Sequence, residues 1–214
     1  MNIDNEVPDN KEIRTLITDL YPYIMPDLSG CPKALIDQQL IVVLRDFFME
    51  SQIYQWTGVR ISTKAGKIKY EATDYPNDYW PERVAQVVQF SDSSDTNGTK
   101  LIAGYDYIAN GGNGIILAAK PDVGTTRALQ ITLVLLPLFT CTSIPTDFFN
   151  RYFKALAAGV KARCFAMPKT PWFDMQQASI NQEIFNEGLL TARIQVDRGF
   201  LNDALIAKPG FRFA

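Results

Sequence analysis

Hydrophobic positions along this chain change period twice, from helical to strand-like and back. In "NKEIRTLITDLYPYI" the residues Ile13, Leu16, Ile17 and Leu20 recur at helical spacing, and Pro22 and Pro26 predict where that helix stops. "MPDLSGCP" reads as a turn. Pro32 suits the first position of the next helix, where its fixed φ and missing N–H are harmless. Ile36, Leu40, Val43, Leu44 and Phe47 then form one apolar stripe, which predicts a long helix from Lys33 to about Gln52.

Beyond Tyr54 the period falls towards that of a strand. Val59 and Ile61 alternate with polar residues, as do Ile68 and Tyr70. "ERVAQVVQF", "YDYIAN", "GIILAAK" and "ALQITLVLL" follow as strand candidates; in the last, Leu129, Ile131, Leu133 and Leu135 share one face, with Gln130 and Thr132 opposite. "GGNG" at Gly111 to Gly114 predicts a hairpin turn. "NGT" at Asn97 reads as a turn rather than a glycan acceptor.

Helical period returns after Pro145. Phe149, Tyr152, Phe153, Leu156, Val160, Cys164 and Met167 make one apolar stripe. "AMPKTPWFDMQQ" follows and predicts an elbow: Pro168 ends the helix, Thr170 caps the next, Pro171 opens it, and Trp172 wedges between the two. Asp174 favours the positive start of that second helix, which carries Ala178, Phe185, Leu189, Ala192 and Val196 on one face. The closing "LNDALIAKPGFRFA" has no sustained period and reads as an extended arm.

The order helices, strands, helices predicts an α+β fold. Segments 1–53 and 145–199 form a discontinuous helical bundle, 54–144 is an inserted small antiparallel β barrel or sandwich, and 200–214 is the C-terminal arm.

Composition narrows the chemistry. With 47% hydrophobic residues in 214, the chain can bury a substantial core. A net charge of −2 argues against tight wrapping of nucleic acid. The absence of histidine removes Ser-His-Asp and Cys-His nucleophilic systems and the commonest metal ligand. Cys31, Cys141 and Cys164 are widely spaced, with no C-x-x-C pair, and read as reduced thiols in apolar surroundings. The polar, acidic "MNIDNEVPDNKEIR" does not read as a secretory signal, and "ITLVLLPLF" falls short of the about 18 apolar residues of a membrane span. "GGNG" lies between strands and lacks the helix start of a phosphate loop, so neither cofactor nor metal is expected.

Weaker candidates remain. Asp92 and Asp95 in "FSDSSDTNG" lack the spacing of a calcium loop and read as a solvated hairpin tip. "DYPNDYWPERV" combines Tyr75, Tyr79 and Trp80 with Asp74, Asp78 and Glu82, a mixture also used in sugar-cleaving sites. The helix after Pro145 carries Arg151, Lys154 and Lys161 on one face, together with Arg163; this is a solvated face, a subunit contact to an acidic neighbour or a weak phosphate contact.

Two stretches carry a resemblance. "YPYIMPDLSGCPKALIDQQLIVVLRDFFMESQIYQW" is similar to the start of head-to-tail adaptor proteins of tailed bacteriophages and prophages, with matches at Pro26, Gly30, Cys31, Pro32, Phe47, Phe48 and Trp56. "FFNRYFKALAAGVKARCFAMPKTPWFD" resembles the same family in its helix, its small-residue "ALAAG" centre and its proline–tryptophan elbow, and "NEGLLTARIQVDRG" looks like the closing helix. In the β-rich middle the likeness is one of element order.

The resemblance implies a non-enzymatic virion protein of the neck, assembled in the host cytoplasm as a ring of about twelve copies under the portal. The tail or nozzle protein would attach below, and double-stranded DNA would pass through the channel without sequence-specific binding. Assembly contacts are expected from Arg151, Lys154 and Lys161, and from the arm's Leu205, Ile206, Phe211 and Phe213, which would dock on the portal or a neighbouring subunit. Alternative readings are a stopper or minor tail protein, and a polysaccharide-degrading enzyme built on the Asp74–Val84 cluster.

Overall fold

The structure is a computed structural model and describes residues 14–198. It is an α+β fold in which helices from both ends of the described chain pack together and antiparallel sheets fill the middle.

The chain enters differently from the single helix that its spacing predicts. Arg14–Leu16 is a short strand, β1, followed by a 3-10 turn at Ile17–Leu20 and a one-turn helix, α1, at Tyr21–Ile24. β1 is claimed by the distant strand β9, Ser143–Pro145, in an antiparallel pair running from Arg14↔Pro145 to Leu16↔Ser143. Sheet pairing overrides local helical spacing here, and Pro22 sits in the first turn of α1 instead of stopping a helix. Arg14 locks the entry: it donates to Asp78 (2.9 Å), to the Tyr79 hydroxyl (3.1 Å) and to the Ser143 carbonyl (2.7 Å).

Helix α2, Lys33–Ser51, buries the predicted stripe of Ile36, Leu40, Val43, Leu44 and Phe47, and Ile41 and Phe48 besides. Pro32 stands one place earlier than expected, as the extended N-cap residue, with its carbonyl accepting from Leu35 and Ile36. The helix ends where Ser51 turns its hydroxyl back to the Phe47 carbonyl (2.6 Å) and Gln52 adopts a left-handed conformation at φ 56°.

The middle holds β2 (Gln55–Thr57), β3 (Lys69–Glu71), β4 (Tyr79–Gln89), β5 (Thr99–Lys100), β6 (Tyr107–Asn110), β7 (Gly114–Leu117) and β8 (Leu129–Pro137). One sheet has the order β2-β8-β4-β5 and another the order β3-β7-β6. One of the sheets curls into a half barrel. Register shifts at Pro81/Arg83 and Val84/Gln86 in β4 supply bends of the kind that bulges introduce. Leu129, Ile131, Leu133 and Leu135 of β8 are buried, with Gln130 and Thr132 half-exposed, as their alternation predicts. "GGNG" closes the β6–β7 hairpin, with Gly111 at φ +74°. Asn97 and Gly98 end the 90–98 loop that joins β4 to β5, and neither has the positive φ that an Asn-Gly step favours. Gly98 is required for closeness instead, since a Cβ would lie 2.5 Å from the Phe90 ring.

Helix α3, Thr146–Phe165, is the central element. Its buried surface is wider than one stripe: Ala155, Ala157, Ala158, Gly159 and Ala162 are enclosed, whereas Phe149, Phe153 and Met167 are only half-buried. Small residues let other helices come close from several sides. Helix α4, Met175–Asp197, crosses α3 at such a point, where Gly188 faces Ala155 and Gly159 faces Phe185. An aromatic cluster joins the bundle to the sheets: Phe48 meets Phe148 (centroids 4.5 Å), Phe47 meets Phe185 (5.8 Å), and Tyr54 meets Tyr79 (4.7 Å). One hydrophobic core therefore runs through the helical and β-rich parts.

Candidate assembly surface

The elbow between α3 and α4 is built differently from its sequence reading. Asp174, not Thr170, caps α4, accepting from the Gln177 amide at 3.0 Å. Thr170 turns back to donate to the Met167 carbonyl (2.9 Å), so Pro168 and Pro171 both lie in the connecting turns and Pro171 precedes the helix. Trp172 is half-buried against the core, as a wedge requires, and its Nε1 is enclosed without a hydrogen-bond partner. Phe173 and Met175, next along the chain, are exposed.

Helix α4 has an apolar inner face and a mixed outer face, on which exposed aliphatic residues alternate with Glu183 and Glu187. The inner one places Ala178, Phe185 and Ala192 in the core, with Leu189 and Val196 half-buried. The outer one presents Ile180, Ile184, Leu190 and Ile194, exposed by 43%, 42%, 57% and 39%. At 3.6 residues per turn these four fall within about a third of the helix circumference, opposite the buried set. Sequence reasoning followed only the inner stripe. The signal for the outer one was present in the spacing of Ile180, Ile184 and Ile194, but a helix with one apolar face already satisfies the core.

Beside this face, α3 and α4 enclose a groove of about 230 Å³ lined by Arg151, Lys154, Ile184, Glu187, Gly188 and Thr191. Arg151 and Lys154 are exposed there, while Lys161 turns away and pairs with Asp27 at 2.9 Å, tying α3 to the α1–α2 turn. Arg163 pairs with Asp46 of α2. The basic residues predicted on one face are thus divided between a free flank and contacts within the chain. Leu205, Ile206, Phe211 and Phe213, and the whole arm 200–214, lie outside the described residues.

The Asp74–Val84 cluster does not converge. Asp74 accepts from the Val59 amide (2.6 Å), Asp78 pairs with Arg14, Tyr79 is buried in the core, and Trp80 and Glu82 are exposed. Asp92 and Asp95 order their own loop. Asp92 accepts from the Ser94 hydroxyl and amide, and Asp95 from the Ser91 and Asn97 amides, which hold both carboxyls below the usual carboxylate range. Among the described residues no group of three or more acidic, cysteine or histidine side chains is placed to hold a metal ion. No described helix is long and apolar enough to cross a membrane.

Cys141 and Cys164 are buried and Cys31 half-buried, all as free thiols. Burial, and then the neighbouring Cys31, push the Cys164 thiol up to about 12.

No protein-family model matches the sequence, and a search of curated proteins finds no match.

Proposed function

We propose that this chain is a structural virion protein, a head-to-tail adaptor forming a ring of about twelve copies beneath the portal. In this role it joins the capsid to the tail or nozzle, leaves a channel for double-stranded DNA, and carries out no catalytic step. The observation that carries the reading is the outer face of α4. Ile180, Ile184, Leu190 and Ile194 line up on a 23-residue helix, on the side turned away from the core. Four exposed aliphatic side chains, interleaved with Glu183 and Glu187, suit a partly polar protein neighbour better than water alone. A closed ring supplies the same neighbour to every copy. The Gly-Cys-Pro helix start, the "ALAAG" centre and the proline–tryptophan elbow support the same reading through their resemblance to adaptor proteins. A net charge of −2 suits passage of DNA better than its retention.

The test is assembly of Ile184→Glu and Ile194→Glu chains. Both side chains are exposed, so each variant should fold and melt like the parent. Each should fail to enter rings on purified portal. Variants that assemble as the parent does would remove the observation on which the reading rests. A parent ring that seats on the tail tube but not on the portal would favour the stopper or minor tail reading instead.

A further inference from the structure

The loop between β2 and β3 carries Lys64 and Lys67, and Lys69 opens β3, in the run "TKAGKIKY". Such a run is ordinarily a solvated edge. Here the backbone beneath it is fixed. Tyr70, 3% exposed, accepts from the Lys64 amide (3.1 Å) and donates to the Lys67 carbonyl (2.9 Å), clamping the loop from inside. Gly66, at φ +75°, donates to the Pro121 carbonyl (2.9 Å), and Thr63 donates to the Thr125 carbonyl (2.8 Å). Two loops distant in sequence are thereby held together. The Arg127 amide donates to the Ser62 hydroxyl (3.1 Å), a further tie between the two loops, while its side chain lines a separate pocket with Asp74 and Asp95.

The result is a cleft of about 300 Å³ lined by Ser62, the three lysines, Tyr70, Glu71 and Ile61. Lys64, Lys67 and Lys69 are exposed. None of them takes part in the salt bridges among the described residues, although Glu71 lines the cleft. On a chain of net charge −2 this is a local excess of positive charge on a rigid support.

We infer that this cleft contacts the phosphate backbone of duplex DNA and marks the surface turned towards the DNA channel, an inference that rests on the adaptor reading. The lysines are compact, rotatable donors on a clamped loop, and the cleft offers no exposed aromatic face on which a base could stack. Contacts of this kind position a backbone and carry no sequence information. Duplex DNA presents one charge per about 1.7 Å of its axis, so a few lysines meet phosphates in any register. With only a few contacts per copy, binding is weak and salt-sensitive, and the DNA is centred without being held.

The test uses the full chain, a 30-base-pair duplex of arbitrary sequence and fluorescence anisotropy at several salt concentrations. Lys64→Glu/Lys69→Glu is compared with Lys33→Glu/Lys169→Glu, an equal charge change on the helical part. The parent should bind weakly, without preference between sequences. The cleft variant should lose about tenfold or more in affinity at low salt, and its logarithmic salt slope should fall by about 2. The helical control should stay within about threefold of the parent. Equal losses in the two variants would overturn the inference, because net charge alone would then explain binding. So would a parent that binds inorganic phosphate but not the duplex, or neither. Ring formation on the portal is scored separately in the same variants. Intact rings with no DNA contact sink the cleft alone, whereas DNA contact without rings sinks the adaptor reading.

Discussion

Gly188→Ala should destabilise the protein, although helix propensity alone predicts the opposite. Gly188 lies inside α4, where alanine is favoured over glycine by about 1 kcal/mol. A Cβ at this position would lie 2.3 Å from the Ala155 Cβ. Carbon atoms prefer a separation of about 3.5–4.0 Å, so the helices must part by more than about 1 Å. The Ala155 methyl is fixed to a helix backbone and has no rotamer through which to retreat. Parting the helices also pulls Phe185 away from Phe47 and from the Gly159 crossing. Overpacking of this kind costs about 1–3 kcal/mol, which offsets the propensity gain and leaves a net loss of up to about 2 kcal/mol.

For a chain of this size that loss lowers the melting temperature by up to roughly 8 °C. The assay is calorimetric melting of the parent, Gly188→Ala, Ala155→Gly and the double variant. The double variant exchanges the two residues and restores one methyl to the crossing. It should therefore be more stable than the sum of the single losses by about 1 kcal/mol or more. A Gly188→Ala chain that melts higher than the parent, or single losses that simply add, would refute a close α3–α4 contact.

Other outcomes follow from the same packing. Trp172→Ala should cost about 2 kcal/mol in urea unfolding, while Trp172→Phe should cost less than its lost area suggests, because it also removes an enclosed N–H that has no acceptor. Arg14→Met should lower stability by about 1–2 kcal/mol through loss of its bonds to the Ser143 carbonyl and Tyr79 hydroxyl; an unchanged urea midpoint would contradict its role as a latch. A thiol reagent at pH 8 should modify half-buried Cys31 first and reach Cys141 and Cys164 only on unfolding. Because folding raises the Cys164 pKa from 9.0 to about 12, its contribution to stability is complete below pH 9 and declines towards pH 12. Replacing Cys164 by Ala should flatten that decline.

Much of this architecture was legible along the chain. The stripe of α2 and the alternation over Leu129–Leu133 are strong because period and burial agree there, whereas from Leu133 to Pro137 β8 is buried on both faces and alternation ends. The entry was misread because the partner that makes Arg14–Leu16 a strand lies more than a hundred residues away, in β9. The cap of α4 was misplaced because Thr170 followed by Pro171 satisfies the local rules for a helix start as well as Asp174 does. The breadth of α3 burial escaped a search for large apolar residues, since alanine and glycine mark close approach by what they lack. For the same reason of habit, the outer stripe of α4 went unseen beside the inner one. The cationic cleft depends on Tyr70 and Pro121 holding two loops together, which no spacing rule records.

The most direct test of the adaptor proposal is particle imaging of the purified chain with and without portal. The expected result is a ring of about twelve copies seated on the portal, coaxial with its channel, with the outer face of α4 covered by a neighbouring copy. A chain that remains a monomer in the presence of portal, with Ile180, Ile184 and Ile194 still open to solvent, would contradict it.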